Sequence, residues 1–298
     1  RMKAVLRWVL SNQQIAGLRA LRDGMRRAAV SLWSTACRLL PERVVLFLVS
    51  HTRLVRKMDY ERAEILLQVE SDVEYTTRLH SCAKEPETIE WIHSFFRDGD
   101  VYYDIGANGG AYALVAAKSF KGKVRVYAFE PSFPTFKQLC TNIVINGCQD
   151  CIVPLQVALS DRTTLQVLNY SSLLPGSALH ALGTAVDYKG DRFQPTVQQP
   201  VLGFSLDDLV KYFDLPFPAH LKLDVDGTEL ALLRGAANTF GHDALKSVLV
   251  EVLEDDRQSK QVIATLENAG LRFHSKHKYV YGGDNGPSSR IYNYIFCR

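Results

Sequence analysis

Val101-Tyr-Tyr-Asp-Ile-Gly-Ala-Asn-Gly-Gly-Ala-Tyr112 carries an apolar run into Asp104, turns on Gly106 through Gly110, and starts a helix-forming run at Ala111. A strand that passes through a glycine turn into a helix N-terminus offers backbone N–H groups to a nucleotide-like ligand, and the glycines allow close approach. A dinucleotide fingerprint wants glycines at the first, third and sixth positions of such a turn. Here those positions hold Gly106, Asn108 and Ala111, so NAD fits poorly. An acid at the strand end followed by Gly-x-x-x-Gly suits S-adenosylmethionine (AdoMet) better.

Outward from this loop the pattern alternates strand and helix, which predicts a doubly wound, largely parallel α/β sheet. Strands are expected at 124–129, 152–159, 221–227 and 248–252, with helices at 134–146, 229–236 and 258–269. Residues 271–274 and 291–296 close the pattern as a hairpin around Gly282-Gly283. Upstream, alternation at Ile65–Val69 and around Val73 and Tyr75 predicts short strands or an irregular cap, and Pro86 suits the first turn of a helix. Residues 162–204 break the rhythm and read as an insert or lid, irregular apart from possible short strands such as Leu165–Leu168. Ser205 opens the next helix as its N-cap.

A length of 298 residues allows one large domain with an appendage. Residues 1–60 carry 12 Lys/Arg against 3 Asp/Glu, a net +9, which leaves −6 on residues 61–298. The expected organisation is a basic helical extension over 1–60 and a catalytic domain over 61–298. Leu18, Leu21, Met25, Ala28, Leu32 and Leu39 recur at helical spacing among arginines, and Pro41 stops that helix. Such a helix packs on the body, pairs with a second copy, or lies on an anionic membrane surface. Nucleic acid is not expected, since the body is acidic and shows no binding motif. No apolar run reaches the roughly 18 residues that span a bilayer, and recurring arginines interrupt any signal-peptide core. Six cysteines without framework spacing indicate a reducing compartment. The expected location is cytoplasmic, peripheral to the inner membrane face at most. Cys148-x-x-Cys151 has no second pair and reads as two thiols beside a strand start.

Ligands of open α/β sheets bind at the carboxyl ends of the strands. Four expected strands end in acids: Asp104, Glu130, Asp161 and Asp224 with Asp226. Glu130 ends the second strand, where a carboxylate accepts both ribose hydroxyls. Asp104 suits the ammonium and sulfonium of AdoMet, while Asp161 serves equally as a helix N-cap.

In order along the chain, Asp104-Ile-Gly-Ala-Asn-Gly-Gly110, Phe129-Glu-Pro131, Ala158-Leu-Ser-Asp161 and Leu221-Lys-Leu-Asp-Val-Asp-Gly-Thr-Glu229 resemble the FkbM-type AdoMet-dependent methyltransferases. The helix entry Lys84-Glu-Pro-Glu-Thr88 resembles them too, and the likeness spans about residues 75–255. It implies a class I methyltransferase (Rossmann-like) fold, AdoMet as donor, and O-methylation of a sugar, glycan intermediate or related metabolite. By the matching motifs, Glu85, Asp104, Gly106, Asn108, Gly110, Glu130, Ala158 and Asp161 fall at the cofactor. The family commonly has Glu where this chain has Asp226.

For a general base, Asp224 is the first candidate and Glu251 the second, with an ion pair to Lys222 as the structural role for Glu251. His180 is either a base delivered by the lid or a surface histidine. Asp224 and Glu251 lack a clear third ligand, so no metal is expected. Two other readings stay open from sequence: an NAD-dependent sugar-modifying enzyme, and a non-catalytic module on the same fold.

Overall fold

The computed structural model describes residues 12–178, 180–186, 191–225, 227–253, 257–278 and 291–298. Asp226 and the Gly282-Gly283 turn lie outside them. The chain divides into two compact units with the break between Arg53 and Leu54. The first contains helices Asn12–Leu39 and Glu42–His51, separated at Pro41. No residue of the second helix is buried, and Leu46, Phe47 and Val49 are all more than half exposed.

The second unit begins with Val55–Lys57 paired antiparallel to Leu66–Gln68. Its main sheet has seven strands: β1 (Val101–Ile105), β2 (Arg125–Phe129), β3 (Ile152–Leu155), β4 (His220–Leu223), β5 (Ser247–Leu253), β6 (Arg272–Lys278) and β7 (Ile291–Cys297). They lie in the order β3-β2-β1-β4-β5-β7-β6, with β7 antiparallel to both neighbours. This is the strand order of a class I methyltransferase. The order reverses direction between β1 and β4, the switch point where such sheets open a crevice.

Alternation along the strands sorts their side chains onto two faces. Tyr102, Val126, Ala128, Leu249 and Ile295 face helices α1 (Pro86–Phe95), α2 (Ala111–Ser119) and α3 (Phe133–Ile145). Tyr103, Ile105, Phe129, Leu221, Leu223 and Val250 face helices α4 (Leu206–Phe213), α5 (Glu229–Arg234) and α6 (Arg257–Asn268). The result is a three-layer α/β body, with both faces of the sheet covered.

Three local expectations are corrected. Val73 and Tyr75 lie in a short helix, Asp72–Thr76, and not in strands. Ser71 and Glu74 form a capping box there, each satisfying the other's backbone N–H, and that local bonding overrides the alternation. The expected 152–159 strand is two: β3 stops at Leu155, and Ala158–Ser160 joins a different sheet. Residues 162–204 are not irregular. Thr164–Tyr170 and Val197–Ser205 pair antiparallel over seven residues, with Ala158–Ser160 and Ala181–Leu182 completing a four-stranded side sheet. Pro200 and Gly203 hid the second long strand in the sequence, yet Val201, Gly203 and Ser205 alternate with more exposed neighbours as a half-buried strand should.

The candidate donor and acceptor site

The Gly106–Gly110 turn crosses the carboxyl end of β1 in a shape that only small or turn-adapted residues hold. Gly106, Asn108 and Gly110 all have positive φ, at 81°, 50° and 84°. A Cβ on Gly106 would stand 1.8 Å from the carbonyl oxygen of Asp224, and one on Gly110 2.6 Å from Leu139 Cδ1. The loop therefore presses against the end of β4, and its backbone is the wall of the crevice.

Glu130, just past β2, is 6% exposed. Its Oε2 accepts the Asn108 N–H at 3.0 Å and its Oε1 accepts the Ser132 N–H at 2.9 Å. Asp104 lies in β1 beside Lys222 of β4 in the sheet register. It is 1% exposed, and neither carboxylate oxygen has a hydrogen-bond partner. Burial pushes its carboxyl up to about 6, against the pull of the Lys222 ammonium.

Lys222 is the charge centre behind the loop. Its Nζ donates to Asp224 Oδ2 at 2.6 Å and lies 5.0 Å from the Tyr112 ring centroid. Burial opposes its charge, but the carboxylates of Asp224, Glu85 and Asp104 hold its proton more tightly than usual. Glu85 is buried and meets Lys84 Nζ at 2.7 Å. Burial disfavours its charge as well, yet Lys84 and Lys222 overcome that and bring its carboxyl down to about 2.

A cavity of about 770 Å³ opens in front of the loop and is lined by Gly106, Asn108, Glu130, Ala158, His180, Asp224 and Glu251 among others. Seven residues singled out in the sequence thus meet in one space. Asp104, Gly110 and Glu85 lie behind it rather than on its wall. Asp161 does not line it either; it pairs with its exposed neighbour Arg162 at 2.9 Å, because its strand left the main sheet. The ion pair of Lys222 is with Asp224, two residues on and just past the end of β4, rather than the expected one with Glu251.

His180 is not a surface histidine. It lines the cavity, and its Nε2 is closed to solvent without a hydrogen-bond partner. Ser171 Oγ donates to the Ala178 carbonyl at 3.1 Å and so accepts from His180 Nδ1 at 3.3 Å, which leaves the lone pair on Nε2. Burial pushes the imidazole down to about 4, so it is neutral near pH 7.

Sequence reading missed Arg78, Ser71 and Ser177, because their importance comes from contacts across the fold. Three successive carbonyls of the insert are each held by a side chain from elsewhere. Pro175 O accepts from Ser71 Oγ at 2.7 Å, Gly176 O from Arg78 Nη2 at 2.7 Å, and Ser177 O from Asn108 Nδ2 at 3.0 Å.

The methyltransferase FkbM domain matches residues 104–273. The chain belongs to this family. It is 27% identical over 180 residues to the hexuronic acid methyltransferase AglP of Haloferax volcanii, covering 60% of this chain and 67% of that one. It is also 27% identical over 210 residues to the 31-O-demethyl-FK506 methyltransferase FkbM of Streptomyces tacrolimicus, covering 63% and 78%. Among solved structures, the FkbM methyltransferase from Methylobacillus flagellatus KT aligns with a TM-score of 0.43 at 15% identity, over 77% of this chain and 56% of that one. This FkbM-family chain is an AdoMet-dependent methyltransferase. The missing side chain of Gly106 lets the loop pack against the Asp224 carbonyl at the end of β4, and both buried oxygens of Asp104 lack a hydrogen-bond partner.

Proposed function

We propose that the enzyme methylates a hydroxyl of a sugar, glycan intermediate or related metabolite. The observation that carries this reading is the convergence of His180, whose Nε2 has no hydrogen-bond partner, with Glu130 and Asp224 on one cavity in front of the glycine loop. Glu130 would accept the ribose hydroxyls, the Gly106–Gly110 backbone and Asn108 would seat the donor, and Ala158 would lie by the adenine. AdoMet supplies a methyl group already activated on a sulfonium, so positioning does most of the work, up to roughly 7–11 kcal/mol. His180 Nε2 would accept the acceptor's O–H and take its proton as the oxygen gains the methyl. Asp224 and Glu251, on the same wall, would hold neighbouring hydroxyls. The relatives named above, a hexuronic acid methyltransferase and an O-demethyl-FK506 methyltransferase, support an oxygen acceptor.

Calorimetry with AdoMet and a methyl-transfer assay over hydroxylated acceptors test this. His180→Ala should lower kcat by about 10²–10⁴ with donor affinity kept, whereas undiminished donor binding by Glu130→Ala would overturn the cofactor assignment.

The helices of the first unit are proposed to rest on an anionic lipid surface. Leu21, Met25, Leu32 and Leu39 form an exposed apolar stripe beside Arg26, Arg27 and Arg38, and Leu46 and Phe47 add an exposed patch. Flotation with phosphatidylserine vesicles, abolished by Leu46→Glu with Phe47→Glu, is the expected result. Equal flotation of that variant would reject it.

A further inference from the structure

The amino-acid end of AdoMet carries a carboxylate as well as an ammonium. The carboxylate needs a cation of its own. Two cationic residues line the cavity at the loop end, Arg78 and Lys84. Both also line a smaller cavity of about 30 Å³ under the loop, together with Gly106, Asn108 and Lys222. Lys84 is buried and committed to Glu85 at 2.7 Å, and Lys222 to Asp224 at 2.6 Å. Arg78 is different. Its Nε and Nη2 both donate to a single neutral acceptor, Gly176 O, at 3.1 and 2.7 Å. A guanidinium has five N–H donors, in a planar fork that matches a carboxylate.

We propose that Arg78 binds the carboxylate of the donor's amino-acid end while it holds the Gly176 carbonyl of the insert. The assignment rests on AdoMet occupying this cavity. It has a second consequence. Gly176 is followed by Ser177, which Asn108 of the donor loop holds, and then by His180. One guanidinium thus joins the donor's end to the segment that delivers the proposed base. Arg78 is a donor-binding and positioning residue, and donor binding draws the insert onto the loop.

Decarboxylated AdoMet, which lacks only the carboxylate, tests this against AdoMet by calorimetry. Arg78→Gln keeps N–H donors for Gly176 O but removes the charge. It should weaken AdoMet binding roughly 10- to 100-fold and decarboxylated AdoMet by no more than about twofold, the difference being one charge-assisted contact. Arg78→Lys should recover part of the loss, because it restores the charge without the fork. Equal weakening of both ligands would show that Arg78 acts only through the insert, and unchanged binding of both would show no contact; either overturns the proposal. A wild type that binds neither ligand fails the cofactor assignment itself, and this proposal with it.

Discussion

At the scale of single residues, Asp104 and Gly106 show how much one position can decide. Asp104 sits in a dry place without a partner, and its carboxyl is raised to about 6 from an ordinary value near 3.8. A cationic donor seated in front of the loop would be favoured by the ionised form behind it, so AdoMet affinity should rise as pH climbs through about 6. Lys222, Asp224 and Tyr102 face the same carboxyl, and Asp104→Asn should flatten the pH dependence while leaving theirs in place. A calorimetric pH series checks this. By linkage, the unliganded fold is favoured below the ordinary value and loses that share as pH rises through about 6. For Gly106 the argument is steric. Alanine there would place its Cβ 1.8 Å from a backbone oxygen at a φ of 81°, so Gly106→Ala should destabilise the fold by several kcal/mol, roughly the 1–3 kcal/mol of left-handed strain plus the clash. A denaturant melt measures it.

At the scale of elements, β4 matters most. Leu221 and Leu223 bury into the layer of α4, α5 and α6, while Lys222 between them points to the other layer and meets Asp104 and Asp224. The strand supplies core on one face and charge on the other. Leu223 is fully buried, so Leu223→Ala should cost about 2–5 kcal/mol. Leu202, exposed on the side sheet, should change stability by no more than about 0.5 kcal/mol on the same substitution. The insert is held onto the loop chiefly by side chains gripping its carbonyls. Asn108→Gly keeps the left-handed backbone but removes the bond to Ser177. That variant should show faster limited proteolysis within 171–186 at an unchanged melting temperature.

At the scale of the whole molecule, a buried network ties the far end of the sheet together, away from the site. Trp91 Nε1 donates to Ser247 Oγ at 2.9 Å, Ser247 donates to His220 Nδ1 at 2.8 Å, and His220 Nε2 donates to Asp100 Oδ2 at 2.9 Å. Phe96 stacks on the imidazole at 4.0 Å. Burial pushes His220 down to about 4, below the ordinary 6.5, with Asp100 opposing. The unfolded chain takes up this proton first. The stability from His220 is therefore complete above pH 6.5 and lost as pH falls toward 4, a loss of up to ~3 kcal/mol. His180 adds to the same slope. Thermal melts between pH 7 and 4 should show it, with a shallower slope for His220→Gln.

The donor loop, the acids at Glu130 and Asp224, and the strand–helix rhythm were all legible in the sequence. Each is a local fact: a left-handed turn selects glycine within a few residues, and a strand end is marked by where its apolar run stops. Of the side sheet only the strand around Leu165–Leu168 was legible; Pro200 and Gly203 mask the longer partner strand, whose stability comes from antiparallel pairing. Nor was the fate of Asp161, since nothing local says that the chain leaves the main sheet after Leu155. The sequence by itself determined the layered class of fold and favoured AdoMet over NAD as the donor. Only the tertiary structure decided that Lys222 lies beside Asp104, that His180 lines the cavity with its Nε2 lacking a partner, and that Arg78 reaches across 98 residues to Gly176. Those facts depend on which strands are neighbours and which loops cross them, and long-range packing sets both.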